Sequence, residues 1–212
     1  MRTVLFLQSS HRASNRAELA GALRAGKAFG WNVRVIEYAN ADNRNPKEDL
    51  AAFRKEFRKM AEFWTPIGVI ADCGAAPRMF RKNEFSPLPT VFLDRPQPSH
   101  GKNSASVADD QNAVATLAAK ELLSLGLDSY AFVGFHEPLP WSEERGRIFR
   151  EIIRQHGKRC ESIRMPKPSA QAKARTQLDD FLERLDKPCG LFAANDETAA
   201  KIINACIRLK IA

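Results

Sequence analysis

The sequence predicts an α/β protein built on parallel, doubly wound sheets. Short apolar runs alternate with longer amphipathic segments from the first residues onward. The apolar runs lack polar alternation, which is typical of strands buried on both faces of a parallel sheet. Polar side chains directly follow several runs, at the sheet edge where α/β proteins bind ligands. We therefore expect strands and helices joined by right-handed crossovers.

In the first half of the chain, each predicted strand leads into a polar loop or a helix. The predicted strands are 3–8, 33–38, 67–71 and 90–93. The first helix is predicted from Leu19, Ala22, Leu23, Gly26 and Phe29, and the second, beginning near Pro46, from Leu50, Phe53, Phe57, Met60, Ala61 and Trp64. Residues 97–104 are polar and contain Pro and Gly, so we place a boundary between lobes 1–104 and 105–212 there.

The second half follows the same strand and helix order. Predicted strands cover 130–134, 159–164 and 191–194. The helix after Asp109 and Asp110 is expected to bury Val114, Leu117, Ala118, Leu122 and Leu125, and a helix from about Ser142 to bury Ile148, Phe149, Ile152 and Ile153. Leu178, Phe181, Leu182 and Leu185 mark another helix, and Ala199, Ile203, Cys206 and Ile207 mark the last apolar face.

Composition is that of a soluble globular protein, with 44% hydrophobic and 27% charged residues. The first apolar run is too short for a membrane span or a signal peptide, so we expect a cytoplasmic protein without membrane contact. The cysteines, at 73, 160, 189 and 206, lack CxxC spacing, and reduced buried thiols are favoured over disulfides. No His has ligand spacing with a Cys or another His, so no metal site is expected.

The net charge of +8 leaves two interpretations, a nucleic-acid partner or solvated helix faces. Basic and acidic residues are interspersed, and no helix-turn-helix, zinc finger or RNA-binding motif is present, which favours solvated faces. No Gly-x-Gly-x-x-Gly follows the first strand, and no P-loop or Ser-His-Asp set is apparent. We therefore predict neither an enzyme nor a cofactor.

Polar side chains at the strand ends include Ser9, Ser10, Asp72, Asp94 and Arg95. Asn195 and Asp196 follow the last strand, where either side chain can cap the next helix or contact a ligand. Arg145 lies one turn before Ile148 and Phe149, and either points at the sheet edge or stays at the surface.

Several motifs, in chain order, resemble the sugar-binding core shared by LacI-type repressors and periplasmic sugar-binding proteins. They are Pro89–Arg95, Val107 with Asp109, Leu117–Leu123, Tyr130–Gly134, Trp141–Arg150 and Leu191–Ala199. Pro89–Arg95 is similar to the strand that places an aspartate and an arginine on sugar hydroxyls in ribose-type members. Trp141–Arg150 looks most like the xylose-operon regulators, which join this core to a downstream AraC-type DNA-binding domain.

The resemblance implies a two-lobed, type I periplasmic-binding-protein-like fold. It implies the ligand-sensing domain of a sugar-responsive regulator, of the pentose or xylose type, which forms a homodimer. Hinge closure on the sugar is then expected to alter DNA binding by a domain outside this chain. The family continues beyond the position of Ala212, so we expect a C-terminally truncated fold and an incomplete second lobe. Ile148 and Asp110 depart from a glycine and an asparagine usual in the family.

The implied sugar site joins polar groups to an aromatic face. Asp94 would accept hydroxyl hydrogens, and the guanidinium groups of Arg95 and Arg145 would donate to sugar oxygens. Trp141 either stacks on the ring or packs within its loop, and His11 is equally consistent with an exposed loop residue. The candidate ligand-binding residues are Ser10, His11, Asn15, Asp94, Arg95, Trp141, Arg145, Asn195 and Asp196.

Two alternatives remain beside a regulator. One is a stand-alone or transport-associated sugar-binding protein, against which the absence of a signal peptide argues if Met1 is the native start. The other is a sensor of a non-sugar small molecule such as a purine, which the same fold also binds.

Overall fold

The computed structural model describes residues 1–8, 13–37, 46–72, 87–93, 103–166 and 171–211. The strands are β1 (Arg2–Gln8), β2 (Trp31–Glu37), β3 (Gly68–Asp72), β4 (Thr90–Leu93), β5 (Ser104–Val107), β6 (Ser129–Gly134), β7 (Arg159–Arg164) and β8 (Cys189–Ala193). The helices are α1 (Ala13–Phe29), α2 (Pro46–Trp64), α3 (Gln111–Leu123), α4 (Pro140–Gln155), α5 (Gln171–Arg184) and α6 (Asp196–Leu209). The chain divides into two compact units, Met1–Ala108 and Asp109–Ala212.

Unit 1 is built on a parallel sheet with strand order β2-β1-β3-β4-β5. Its core lies on the face covered by α2, where Leu5 and Leu7 of β1 cluster with Phe53 and Phe57. Side chains alternate along a strand, so Val4, Phe6 and Gln8 point to the opposite face. That face is covered by α1, because Asn15 of α1 donates a hydrogen bond to Asp72, whose side chain points to the side opposite Ala71.

Unit 2 is built on a parallel sheet with strand order β7-β6-β8. Its central strand β6 is buried on both faces. Tyr130 and Phe132 pack with Phe149 of α4 and with small residues of α3, whereas Ala131 and Val133 pack against α5 and α6. The sheet therefore separates two hydrophobic cores, as a doubly wound arrangement requires.

The structure confirms the predicted strands, with end points shifted by one or two residues, and adds β5, which the sequence did not indicate. Three predicted helix faces are wrong in part. In α1, Leu23 and Phe29 were expected to face the core but are exposed. In α3 the buried residues are Gln111, Ala115 and Ala119. The predicted Ala118 and Leu122 pack partly buried against the core, whereas Leu117 and Leu125 are exposed. In α6 the buried residues are Thr198, Ile202 and Ala205. The predicted Cys206 packs partly buried against the core, whereas Ile203 and Ile207 are exposed. Three of these buried residues, Ala115, Ala119 and Ala205, are small, and small side chains allow a helix to approach its neighbours closely.

Within the described residues, no helix combines the length and the apolar composition needed to cross a membrane. The same part of the chain holds no group of three or more His, Cys, Asp or Glu side chains arranged around a metal ion.

Candidate functional site

Arg145 lies at the carboxyl-terminal edge of the sheet of unit 2. Its Nη1 donates a hydrogen bond of 2.5 Å to the carbonyl oxygen of Ala194, the residue after β8. Its Nε donates to Oε1 of Gln111 at 2.9 Å. The side chain is half-buried, so its position is fixed from two elements while part of it meets solvent. The sequence left open whether Arg145 points at the sheet edge or stays at the surface, and the structure places it at the edge.

Gln111 is a residue of this site that the sequence did not indicate. It is the first residue of α3 and is buried, and its Nε2 donates to the carbonyl oxygen of Asp109 at 3.3 Å. Asp110 caps α3 by accepting a hydrogen bond from the backbone N–H of Ala113. Because Asp110 fixes the start of the helix, Gln111 is held where its carbonyl oxygen can orient Arg145.

Trp141 lies on the same side of α4 as Arg145, four residues earlier. The guanidinium carbon of Arg145 is 5.2 Å from the centroid of the Trp141 ring, a cation–π arrangement. The ring also packs against Phe135, with centroids 5.6 Å apart, and remains half-buried. Trp141 therefore packs against Phe135, just after β6, and still exposes part of its ring beside the guanidinium group of Arg145.

The start of α4 is fixed by Ser142, which is fully buried and accepts a hydrogen bond from the backbone N–H of Phe135 at 2.9 Å. Pro140 stands in the first turn, where its missing N–H costs nothing. The hydrogen bond between Phe135 and Ser142 links the end of β6 to the helix that carries Trp141 and Arg145, and Pro140 favours the first turn of that helix.

Asn195 is the N-cap of α6, and its Oδ1 accepts a hydrogen bond from the backbone N–H of Thr198 at 2.9 Å. It follows Ala194, so it lies next to the carbonyl group that binds Arg145. Asp196 is the first residue of α6, is exposed, and adds negative charge at the helix start together with Glu197. Of the two capping candidates, Asn195 is the cap, and the cap uses the Oδ1 atom of its amide group.

In unit 1, Asn15 lies in the first turns of α1 and is buried. Its Nδ2 donates a hydrogen bond to Oδ2 of Asp72, the last residue of β3, which is also buried. Gln8, the last residue of β1, is also buried, and β1 is the strand next to β3 in the sheet. The carboxyl-terminal edge of this sheet thus has its own buried polar group, of which the sequence had selected only Asn15 as a candidate ligand contact.

Ser10, His11, Asp94 and Arg95 lie outside the described residues. Their roles therefore remain predictions. Among the predicted ligand-binding residues, the structure brings together Trp141, Arg145 and Asn195 at the sheet edge of unit 2, with Asp196 beside them, and it places Asn15 at the sheet edge of unit 1.

A family model described as a periplasmic binding protein-like domain matches residues 119–212. No curated protein sequence matches the chain. Among solved structures, the xylose-binding transcription activator xylR shares 20% identity, with a TM-score of 0.75 over 99% of this chain and 50% of that one.

Two further structures share the fold. A LacI transcriptional regulator from a Rhodococcus species is 16% identical, with a TM-score of 0.73 over 99% of this chain and 73% of that one. A periplasmic ribose ABC transporter protein from Conexibacter woesei DSM 14684 is 17% identical, with a TM-score of 0.72 over 100% of this chain and 70% of that one. The chain has the α/β, parallel-sheet, type I periplasmic-binding-protein-like fold, which confirms the predicted fold class. It spans half the length of the xylR chain.

Proposed function

We propose that this chain is the ligand-sensing domain of a sugar-responsive transcriptional regulator, with a pentose such as D-xylose as its effector. The observation that carries the proposal is the arrangement of Arg145. Its guanidinium group is held by Gln111 and by the carbonyl oxygen of Ala194, and it lies over Trp141 at the edge of a parallel sheet.

This arrangement suits a sugar for chemical reasons. A pyranose or furanose ring has hydroxyl groups around its rim and C–H groups on its faces. A guanidinium group in a fixed orientation donates to rim oxygens without losing much side-chain entropy, and an indole ring packs against the C–H face. The amide of Asn195 both donates and accepts, as a hydroxyl group does. Asn195 is also the residue next to the carbonyl that Arg145 binds.

The structural neighbours support the same class of function. They include a xylose-binding transcription activator, a LacI transcriptional regulator and a periplasmic ribose transporter protein. For this chain we infer a cytoplasmic, homodimeric regulator in which sugar binding favours a closed state of the two units. The signal would pass to a DNA-binding domain outside these 212 residues, as in regulators of the AraC type. Ser10, His11, Asp94, Arg95 and Asp196 complete the proposed ligand contacts.

The first test is a thermal-shift screen of the chain against D-xylose, L-arabinose, D-ribose, D-glucose and adenine. A ligand that binds only the folded state raises Tm in proportion to the logarithm of its concentration. We expect the pentoses to raise Tm and adenine to have no effect. A shift with adenine alone would instead identify the chain as a sensor of nucleobases, and no shift with any sugar would contradict the proposal.

The second test is calorimetric titration of D-xylose into Arg145→Ala. Loss of a hydrogen bond to a charged group costs about 1.5–3 kcal/mol, so affinity should fall by roughly 10- to 150-fold. Arg147→Ala is the matched control, because Arg147 is on the same helix but is exposed and pairs with Glu151 at 3.0 Å. Equal affinity in the Arg145 and Arg147 variants would remove Arg145 from the site.

A further inference from the structure

Gln8 has a buried carboxamide that nothing in the described part of the chain satisfies. It is the last residue of β1 and is fully buried. Within the residues that the structure describes, neither its Nε2 nor its Oε1 has a hydrogen-bond partner. Buried side-chain amides in folded proteins almost always have at least one partner, since leaving them unpaired is costly. An amide with both ends unpaired therefore indicates a group that binds there.

The neighbours of Gln8 indicate what kind of ligand group would bind its carboxamide. The pairing of Leu7 with Ala71 continues by one residue to place Gln8 beside Asp72 on the adjacent strand. Leu7 and Ala71 both belong to the core on the α2 side, so Gln8 and Asp72 both point to the α1 side. Asn15 of α1 donates its hydrogen bond to Asp72 on that same side.

The result is a small polar cluster at the carboxyl-terminal edge of the sheet. It contains two carboxamides and one carboxylate, and all three residues are buried: Gln8, Asn15 and Asp72. The Asn15 amide is already directed at the Asp72 carboxylate. Gln8 is the member whose donor and acceptor both lack a hydrogen-bond partner among the described residues, and as the last residue of β1 it lies at the carboxyl-terminal edge of the sheet.

We propose that the Gln8 carboxamide is a specificity-determining contact that binds a hydroxyl group of the effector sugar, next to the Asn15–Asp72 pair. A hydroxyl group donates and accepts at once, so one hydroxyl matches both ends of the amide. This proposal rests on the proposed function. The added contact comes from β1 itself and is separate from Ser10 and His11, which follow this strand in the sequence.

The test uses Gln8→Met, which keeps the length and volume of the side chain but removes both polar atoms. We expect the ligand-free variant to have a higher Tm than the wild type, because a buried unpaired amide is replaced by an apolar group. We expect its affinity for D-xylose, L-arabinose and D-ribose, measured by calorimetric titration, to fall about tenfold or more. A residue with a purely structural role would not combine higher stability with weaker binding.

Deoxygenated D-xyloses identify the hydroxyl group involved. For wild-type protein, one of the 2-, 3- and 4-deoxy analogues should bind about tenfold more weakly than D-xylose. The same analogue and D-xylose should bind Gln8→Met equally, because the amide that contacts this hydroxyl group is absent from the variant. Gln177→Met, at an exposed position of α5, is the control and should change neither Tm nor affinity.

The outcomes separate this proposal from the proposed function. If the wild type binds a pentose and Gln8→Met binds it with equal affinity, the contact from Gln8 is wrong and the sugar-sensing function stands. If no pentose binds the wild type, both are wrong. A Gln8→Met variant with lower Tm and unchanged affinity would show that the amide has an internal structural partner, which also overturns the proposal.

Discussion

A Cβ atom added to Gly146 would lie 2.3 Å from Cε1 of Phe132, well inside the distance at which two carbon atoms can pack. Gly146 lies in the middle of α4 and is buried, and Phe132 lies in the central strand of unit 2. The absence of a side chain at Gly146 therefore allows α4 to approach the sheet closely. That approach positions Arg145, the residue directly before Gly146, and Trp141, which lies more than one turn earlier on the same helix.

We predict that Gly146→Ala destabilises the protein by about 1–3 kcal/mol, the usual cost of overpacking a core. The ring of Phe132 cannot easily move, because it packs against Phe149 and Phe192 with centroids 6.4 and 5.6 Å away. The free energy of unfolding from urea titrations measures the effect. The double variant Gly146→Ala with Phe132→Leu should recover part of the lost stability.

Gly21→Ala is the matched control for this prediction. Gly21 is also inside a helix, α1, but the nearest atom to its added Cβ is the Arg24 Nη2 at 3.9 Å. Alanine there should stabilise the protein by about 0.4–1 kcal/mol, because it reduces the entropy of the unfolded chain. Equal effects of the two substitutions would mean that the contact with Phe132 does not limit the position of α4.

The strands β1, β3 and β6 were predictable from the sequence because they are buried on both faces, which leaves a continuous apolar run. Residues 104–107 were missed because a short run with two serines has no such signal. The inward faces of α3 and α6 were mispredicted in part for a related reason. The largest apolar residues, such as Leu117 and Ile203, were assumed to face the core, but the close helix contacts are made by Ala115, Ala119 and Ala205. Periodicity ranks residues by hydrophobicity, whereas packing also selects for small volume.

The candidate site was only partly predictable. Arg145 and Trp141 share one helix face, so their proximity follows from spacing alone. Gln111 lies 34 residues from Arg145, and only the packing of α3 beside α4 brings them together. Gln8 ends an apolar run, so the sequence predicts only the end of a strand there. That Gln8 is buried without a hydrogen-bond partner among the described residues is visible only in the tertiary structure.

Asn195 is expected to have two separable roles, as the cap of α6 and as a proposed sugar contact. Asn195→Ala removes the hydrogen bond to the N–H of Thr198 and should cost about 0.5–2 kcal/mol of stability. Asn195→Asp retains a cap oxygen and adds a charge that the helix start favours, so stability should be maintained. The same variant loses the amide donor, so its affinity for D-xylose should fall about tenfold.

Urea titration and calorimetric titration of both Asn195 variants measure these two quantities. If Asn195→Asp binds D-xylose as tightly as the wild type, the amide donor is not used and Asn195 acts only as a cap. If Asn195→Asp is as unstable as Asn195→Ala, the hydrogen bond to Thr198 does not provide the capping energy. Asp196→Asn, at the exposed neighbouring position, is the control for charge at the helix start.

The thiols of Cys160 and Cys189 are expected to be unreactive at neutral pH. Burial raises the pKa of Cys160 to about 11, and the nearby Arg150 and Arg154 only partly offset it. Burial also raises the pKa of Cys189, against a smaller opposing effect of the hydrogen bond from Ser129. Since the thiolate is the reacting form, iodoacetamide at pH 8 should modify both residues far more slowly in the folded protein than in urea. Mass spectrometry of the cysteine-containing peptides provides the measurement.

The raised pKa of Cys160 also predicts how stability depends on pH. The pKa of the unfolded thiol is about 8.5, whereas burial raises the pKa of the folded thiol to about 11. The unfolded state therefore releases its proton first, and the free energy of unfolding should fall as pH rises from about 8.5 through about 11. Lysines and tyrosines titrate in the same range, so the comparison is with Cys160→Ala, whose stability should decline less steeply. Parallel pH profiles for the two proteins would contradict the assignment, because they would show that the Cys160 thiol ionises equally well in the folded state.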